Sequence, residues 1–192
     1  ILSARNYAVH SFSLPPDIKT THTGIRPVLK PECYAHQSAL EAGFVNIKVA
    51  SEKKGLGAFA SCRIPRGTFL GKYNGELFTM REVKARFWNK IPMSISDKKW
   101  SKNRENRDQG ITGNYLLEMP NGLFVDAEDG DKSGWCRFMN HASDDTSHCN
   151  VKPFMQTETG GETHTFPHMY AIDEIKEGEE LCWDYGSGFF LS

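Results

Sequence analysis

Two stretches decide how this chain is read: Trp135-Cys136-Arg137-Phe138-Met139-Asn140-His141, and further along Ile175-Lys176-Glu177-Gly178-Glu179-Glu180-Leu181-Cys182-Trp183-Asp184-Tyr185-Gly186. In the first, adjacent Asn and His set two directional polar groups at the end of an apolar run. In the second, an acidic turn leads into a short strand that ends on Tyr-Gly. Taken singly, each has a plain explanation: a core histidine with a satisfied hydrogen bond, and a core or rim aromatic. Upstream lies Lys54-Gly55-Leu56-Gly57-Ala58-Phe59-Ala60. Its paired glycines suit a tight turn or the close approach of backbone to a ligand, and alone they read as a turn between strands. A dinucleotide-binding fingerprint is excluded, since the third glycine is absent and no helical pattern follows.

The 192 residues surrounding these stretches fit one domain, with 39% apolar and 24% charged residues and 12 Phe, 6 Tyr and 4 Trp. That composition excludes an intrinsically disordered chain, a collagen and a coiled coil. No apolar run approaches the ~18 residues that span a bilayer, so no transmembrane helix and no membrane partner are expected. The first residues lack the apolar block of a signal peptide. The missing initiator Met reads as the mark of a fragment. Five widely spaced cysteines, no C-x-x-C pair and no N-x-S/T sequon favour a reducing compartment, so the chain is not read as secreted.

Net charge is −1, but its distribution is uneven. Residues 81–107 hold nine Lys/Arg against three acids, and residues 118–184 hold fifteen acids against four Lys/Arg. Two solvated faces of opposite sign would explain this, as would an acidic half that attracts a basic partner.

Proline and polar residues make 1–44 an extended lead-in, with a turn of helix at 39–43. Period-two alternation marks 45–49 as a half-buried strand, and 58–60 and 68–73 follow on either side of the turn Pro65-Arg66-Gly67. Thr79-Met80-Arg81-Glu82 is a capping-box pattern that opens a helix over 79–89. Residues 98–109, polar and basic, read as loop. Strands at 115–118 and 123–126 flank Asn121-Gly122, a two-residue turn signal. Strands at 151–156 and 165–172 flank Gly160-Gly161, and 181–183 forms a last short strand. The fold class is therefore mostly β with a minor helical part.

The three stretches in this order resemble the SET-domain protein lysine methyltransferases. GLGAFASCRIPRGTFLGKYNGEL (55–77) is similar to that family's first block, in which a glycine turn precedes A-x-x-x-I-x-x-G and a strand ending Y-x-G-E. Arg137-Phe138-Met139-Asn140-His141-Ala142 is similar to its R-F-x-N-H block. AIDEIKEGEELCWDYG (171–186) is similar to its closing I-x-x-G-E-E-L-x-x-D-Y-G block. The resemblance implies small curved sheets around a C-terminal pseudoknot, with a helical insert. The domain would then span 45–186, its insert about 79–114, and 187–192 would be a short tail. The pseudoknot would set the Asn140-His141 block beside the Tyr185 block.

The resemblance also implies an enzyme that carries a methyl group from S-adenosylmethionine to the side-chain amine of a lysine in a protein. Backbone around Lys54, Gly55, Leu56 and Gly57 would hold the amino-acid portion of the donor, with Tyr115 contacting it. Asn140 and His141 would hold its amino group and adenine, and Arg137 and Phe138 would line the same pocket. Tyr185 would be the catalytic tyrosine, with Tyr73 counted beside it as catalytic, and Tyr73, Trp183 and Tyr185 would line the lysine channel. A free lysine titrates near about 10.4 and cannot attack while protonated. A sulfonium, a narrow apolar channel and desolvation all push that value down, so no strong base or metal is needed. Backbone carbonyls facing the methyl group would add weak C–H···O contacts. Basic lysine-containing peptides such as histone tails would suit the acidic half, which implies a nuclear protein. Rival readings are a non-histone protein substrate, a catalytically silent SET-like interaction module and, last, direct nucleic-acid binding through residues 98–107.

Several residues depart from the family pattern. Ser143 stands where a zinc-ligating Cys commonly follows Asn-His, and no cysteine follows Gly186. The post-domain zinc site is therefore absent from this stretch, and either another segment or Gly188-Phe189-Phe190-Leu191 would close the lysine channel. His141, His148 and Cys149, or His164, His168 and Cys149, do not make four ligands at usual spacing, so no metal is expected. Trp183 stands where Phe or Tyr is usual, and two readings remain open: it narrows the pocket toward monomethylation, or it points into the core. Val125-Asp126, Lys132-Ser133 and the residues from Trp135 to Phe138 also resemble the PR/SET branch, which lacks the zinc cluster. That branch usually loses the Asn-His pair kept here, so this similarity is partial.

Overall fold

A computed structural model describes residues 2–3, 43–158 and 164–186. Along the chain run β1 (Leu2–Ser3), β2 (Val45–Ser51), β3 (Gly55–Ala60), β4 (Phe69–Lys72), β5 (Glu76–Thr79), α1 (Met80–Arg86), α2 (Ile95–Asn106), β6 (Leu116–Glu118), β7 (Leu123–Asp126), a 3₁₀ turn (Trp135–Phe138), β8 (Asn140–His141), β9 (Val151–Glu158), β10 (His164–Ala171) and β11 (Cys182–Trp183). They form four small sheets, ordered β1-β6-β7-β5, β4-β10-β9, β2-β3 and β8-β11. This is the mostly-β SET-type fold that the resemblance implies. Most of the lead-in, the Gly160-Gly161 loop and the tail after Gly186 lie outside the described residues.

Alternation places the strands as expected. Val45 and Ile47 of β2 pair with Ala60 and Ala58 of β3, and these apolar faces join the main core. The fully buried Leu70, Leu117, Val125, Met169, Ile175, Leu181 and Trp183 draw that core from three sheets and the closing block. A second cluster, Phe78, Val83, Leu116 and Phe124, seats the helices on the β5–β7 sheet, with Trp100 edge-on to Phe78 and Phe87.

Three local expectations need correction. The β6–β7 connection is a four-residue turn over 119–122, closed by the Gly122 amide on Met119 O (3.0 Å), with Gly122 at φ 78°. Asn121-Gly122 is thus only its second half. Helix α1 has the expected capping box at Thr79 but ends at Arg86. Its last turn unwinds because the Phe87 and Trp88 amides both donate to Val83 O, and Asn89 takes φ 52°.

The third correction is larger, because residues 95–106 are helix, not loop. Ser94 and Asp97 form a reciprocal capping box. The inward face of α2 is polar, with Asp97, Ser101 and Arg104 buried, so the apolar periodicity that usually marks a helix is missing. Charge pairs replace it. Asp97 receives Arg81 and Arg86, while Arg104 reaches Glu76 (2.6 Å), Asp126 (2.7 Å) and Gly110 O (2.7 Å). Arg107 is also turned inward, onto Asp129 (2.6 Å) and Asp131 (2.8 Å). Part of both charge blocks is therefore neutralised inside the fold. No described helix is long and apolar enough to cross a membrane.

The closing block runs antiparallel to residues 58–64. Ile64 and Ile175 exchange both backbone hydrogen bonds, Ala60 donates to Glu179 O and Leu181 donates to Ala58 O. This stitching delivers β11 to β8, where the two pair in parallel, Asn140 opposite Cys182 and His141 opposite Trp183. Two blocks far apart in sequence thereby become neighbours.

Candidate active site

The glycine pair serves two different needs. Gly55 opens β3 at φ 71°, a left-handed conformation that side chains resist. Gly57 lies inside the strand, not in a turn, and a Cβ there would stand 2.7 Å from Glu180 Oε1 and 3.0 Å from both Ala50 Cβ and Phe59 Cε2. The missing side chain admits the Glu180 carboxylate. Glu180 Oε2 lies 3.3 Å from Lys54 Nζ, and Oε1 accepts from Asn140 Nδ2 at 2.6 Å. Asn140 Nδ2 also donates to Leu56 O at 3.2 Å. Lys54, Gly57 and Asn140 thus meet at one carboxylate, and Asn140 links it to the Leu56 carbonyl. Sequence reasoning missed Glu180, because nothing in the acidic run distinguishes it from its exposed neighbours Glu177 and Glu179.

His141 faces the last turn of the closing block. Its Nδ1 lies 3.1 Å from the Tyr185 amide, from which it accepts, and its Nε2 lies 3.4 Å from Ser143 Oγ. Asp184 caps the turn by accepting from the Gly186 amide (2.7 Å) and the Asp144 amide (3.0 Å).

Next to this lies an aromatic wall. The Tyr185 hydroxyl donates to Met139 O at 2.7 Å and the Tyr73 hydroxyl to Tyr115 O at 3.0 Å. The Trp183 ring packs against both, 5.0 Å from that of Tyr185 and 5.9 Å from that of Tyr73. Burial pushes both phenols well above the usual tyrosine range, Tyr185 also feeling Tyr115 and Cys182, and Tyr73 feeling Tyr185. Both are therefore neutral donors near pH 7. The Trp183 side chain is 1% exposed and belongs to the main core, with its ring against both tyrosines. Its indole N–H has no hydrogen-bond partner among the described residues.

Arg137 is placed differently. Its guanidinium donates to Ala127 O (3.1 Å), Glu128 O (2.8 Å) and Ser133 Oγ (3.2 Å), and lies over the rings of Tyr115 (5.3 Å) and Phe138 (5.0 Å). It ties the loop after β7 to Tyr115, whose carbonyl in turn accepts from Tyr73. Among the described residues no group of three or more His, Cys, Asp or Glu side chains is arranged to hold a metal ion. Burial, assisted by Asp144, pushes the Cys149 thiol up to about 12. A separate hollow of about 380 Å³ between the end of α1 and the following loop, lined by Ala85, Asn89, Ile91 and Met93 among others, shares no residue with this site.

A family model described as SET domain matches residues 55–186. Curated relatives include the histone-lysine N-methyltransferase ash1 of Drosophila melanogaster, 28% identical over 138 residues that cover 71% of this chain and 5% of that protein. The probable inactive histone-lysine N-methyltransferase SUVR1 of Arabidopsis thaliana is also 28% identical, over 71% of this chain and 17% of its own length. The H3 lysine-9 specific histone-lysine N-methyltransferase KMT1 of Fusarium mangiferae is 30% identical, over 70% and 37%. The chain therefore spans between 5% and 37% of these relatives. Among solved structures, an inhibitor-bound humanized mutant of the Chaetomium thermophilum Polycomb Repressive Complex 2 matches with a TM-score of 0.46 and 28% identity, over 77% of this chain and 16% of that one.

Proposed function

The chain belongs to the SET-domain family, and on that premise we propose that it transfers a methyl group from S-adenosylmethionine to the side-chain amine of a lysine in a protein, with a histone tail as substrate. The observation that carries this reading is the aromatic wall: two neutral tyrosine hydroxyls, each committed as donor to a backbone carbonyl, with both rings against a buried Trp183.

The donor's chemistry fits the residues present. Both N–H groups of the Asn140 carboxamide are engaged, which leaves its Oδ1 as an acceptor suited to an ammonium group. Leu56, 46% exposed beside it, offers an apolar surface. When bound, S-adenosylmethionine supplies a methyl group on a sulfonium, open to in-line displacement by an amine. Lys54, Gly55, Leu56, Gly57, Asn140 and His141 would hold it, with Phe138, Arg137 and Tyr115 framing the pocket.

Because the hydroxyl protons of Tyr185 and Tyr73 are directed to Met139 O and Tyr115 O, each oxygen presents lone pairs that can accept from an incoming amine and orient it. Held neutral, neither phenol acts as a base. Their contribution is positioning and the exclusion of water, and desolvation favours the uncharged, nucleophilic lysine. The exposed acids Asp145, Asp173, Glu177 and Glu179 would favour a basic peptide. A histone substrate would place the protein in the nucleus.

A second reading, a catalytically silent interaction module, is favoured by the probable inactive relative at the same 28% identity. Retention of Tyr185, Asn140 and His141 together opposes it. Labelled methyl transfer to a panel of core histones, with donor binding followed by calorimetry, separates the two. Donor binding with transfer to one histone supports the proposal. Donor binding without transfer points to a non-histone substrate, and no binding at all favours the silent module.

A further inference from the structure

We infer that Glu180 is a positioning residue for donor recognition: it fixes the rotation of the Asn140 carboxamide so that the amide oxygen, not the nitrogen, is offered to the ligand. This rests on the site being an S-adenosylmethionine site. A carboxamide nitrogen has two N–H donors, and its oxygen only accepts. Asn140 Nδ2 faces two acceptors, Leu56 O at 3.2 Å and Glu180 Oε1 at 2.6 Å. Rotating the group by half a turn would set its oxygen against both and lose two hydrogen bonds, one of them charge-assisted. Leu56 O alone would hold only one of the two N–H groups.

Glu180 is itself pinned from several sides. Its carboxylate lies 3.3 Å from Lys54 Nζ, in a gap that exists because residue 57 is glycine. Its carbonyl accepts from Asn150 Nδ2 at 2.9 Å, and the next amide, of Leu181, donates to Ala58 O at 2.8 Å. Asn150 Oδ1 then accepts the Cys182 amide, which continues the same support into β11. Glu180 thus joins the glycine strand, the Asn-His block and the closing block. An ammonium group needs an acceptor, and a flipped Asn140 would present a donor in its place.

The test compares S-adenosylmethionine with 5′-methylthioadenosine, which keeps the adenosine and the sulfur but lacks the amino-acid portion. Calorimetry on the wild-type chain, Glu180→Ala, Glu180→Gln, Asn140→Ala and the Glu180→Ala, Asn140→Ala pair gives the affinities. Glu180→Ala is expected to weaken S-adenosylmethionine about tenfold, as loss of one charge-assisted hydrogen bond would, and to leave 5′-methylthioadenosine unchanged. Glu180→Gln retains most of the affinity, because its amide oxygen still accepts from Asn140. Once Asn140 is Ala, Glu180→Ala has no further effect. Equal weakening of both ligands, or an undiminished effect without Asn140, overturns the inference. NMR of the ligand-free chain tests the clamp alone: the Asn140 side-chain amide signals, identified by their loss in Asn140→Ala, shift toward solvent-exposed positions in Glu180→Ala and not in Glu180→Gln. Unmoved signals in Glu180→Ala overturn the clamp. A wild-type chain with a moving amide signal but no donor affinity instead overturns the cofactor reading, and with it the role in recognition.

Discussion

Replacing Arg104 with Met removes the charge that holds α2 to the β5–β7 sheet while keeping similar length and bulk. Arg104 is fully buried, donates to Glu76 (2.6 and 3.1 Å), Asp126 (2.7 Å) and Gly110 O (2.7 Å), and lies over Trp100 at 4.7 Å. Without it, Asp126 and Asp129, both fully buried, lose a counter-charge. Breaking a buried pair from one side costs about 3–5 kcal/mol. For a domain of this size that is a fall in Tm of about 10 °C. The loss should also depend on pH. Burial pushes the Asp126 carboxyl up to about 6 against the pull of Arg104. Its folded state thus binds a proton more firmly than the unfolded chain, and the stability this contributes is lost as pH rises through about 6. Glu76 and Asp129 are held low partly by Arg104 and move up when it goes. All three shifts make the variant's deficit largest above pH 6 and smaller toward pH 4. Urea and thermal unfolding of wild type and variant across that range measure it. A deficit below about 1 kcal/mol, typical of an exposed pair, or one flat with pH, would refute the reasoning.

Three further outcomes are expected. Gly57→Ala forces a Cβ to within 2.7 Å of Glu180 Oε1 and should cost about 1–3 kcal/mol in urea unfolding while weakening S-adenosylmethionine binding. Tyr73→Phe removes the hydrogen bond to Tyr115 O, a loss of about 1 kcal/mol in stability, and should slow methyl transfer more than it weakens donor binding in a parallel calorimetric titration. Among the described cysteines, half-exposed Cys62 should be alkylated first at pH 7.5, with Cys182, buried and pushed up to about 12, slow to react, as read by mass spectrometry of the labelled chain.

Much of the fold could be read because its signals are local. The alternation at Val45 and Ile47, the capping box at Thr79 and the glycine turn at Gly122 each act within a few residues. Helix α2 escaped because its buried face is Asp97, Ser101 and Arg104, and the partners that justify burying them come from β5, β7 and the following loop. Its capping pair, Ser94 and Asp97, was the signal that could have found it. At the candidate site, the motif blocks named Asn140, His141 and Tyr185, but their mutual geometry depends on the parallel β8–β11 pairing. Glu180 was invisible for the same reason: its neighbours Lys54, Gly57 and Asn140 reach it only through the fold. The hydrogen bonds of Arg137 to the Ala127 and Glu128 carbonyls were likewise illegible, because they are set by a loop no local pattern describes.

Methyl transfer from labelled S-adenosylmethionine to core histones, with Tyr185→Phe beside the wild type, tests the central claim most directly. Tyr185 is neutral and donates to Met139 O, so the variant should keep its fold and donor affinity. The expected result is labelling of a histone by the wild type that falls at least about a hundredfold in the variant, the scale on which a misplaced reacting group is felt. Equal labelling by both proteins would contradict the account.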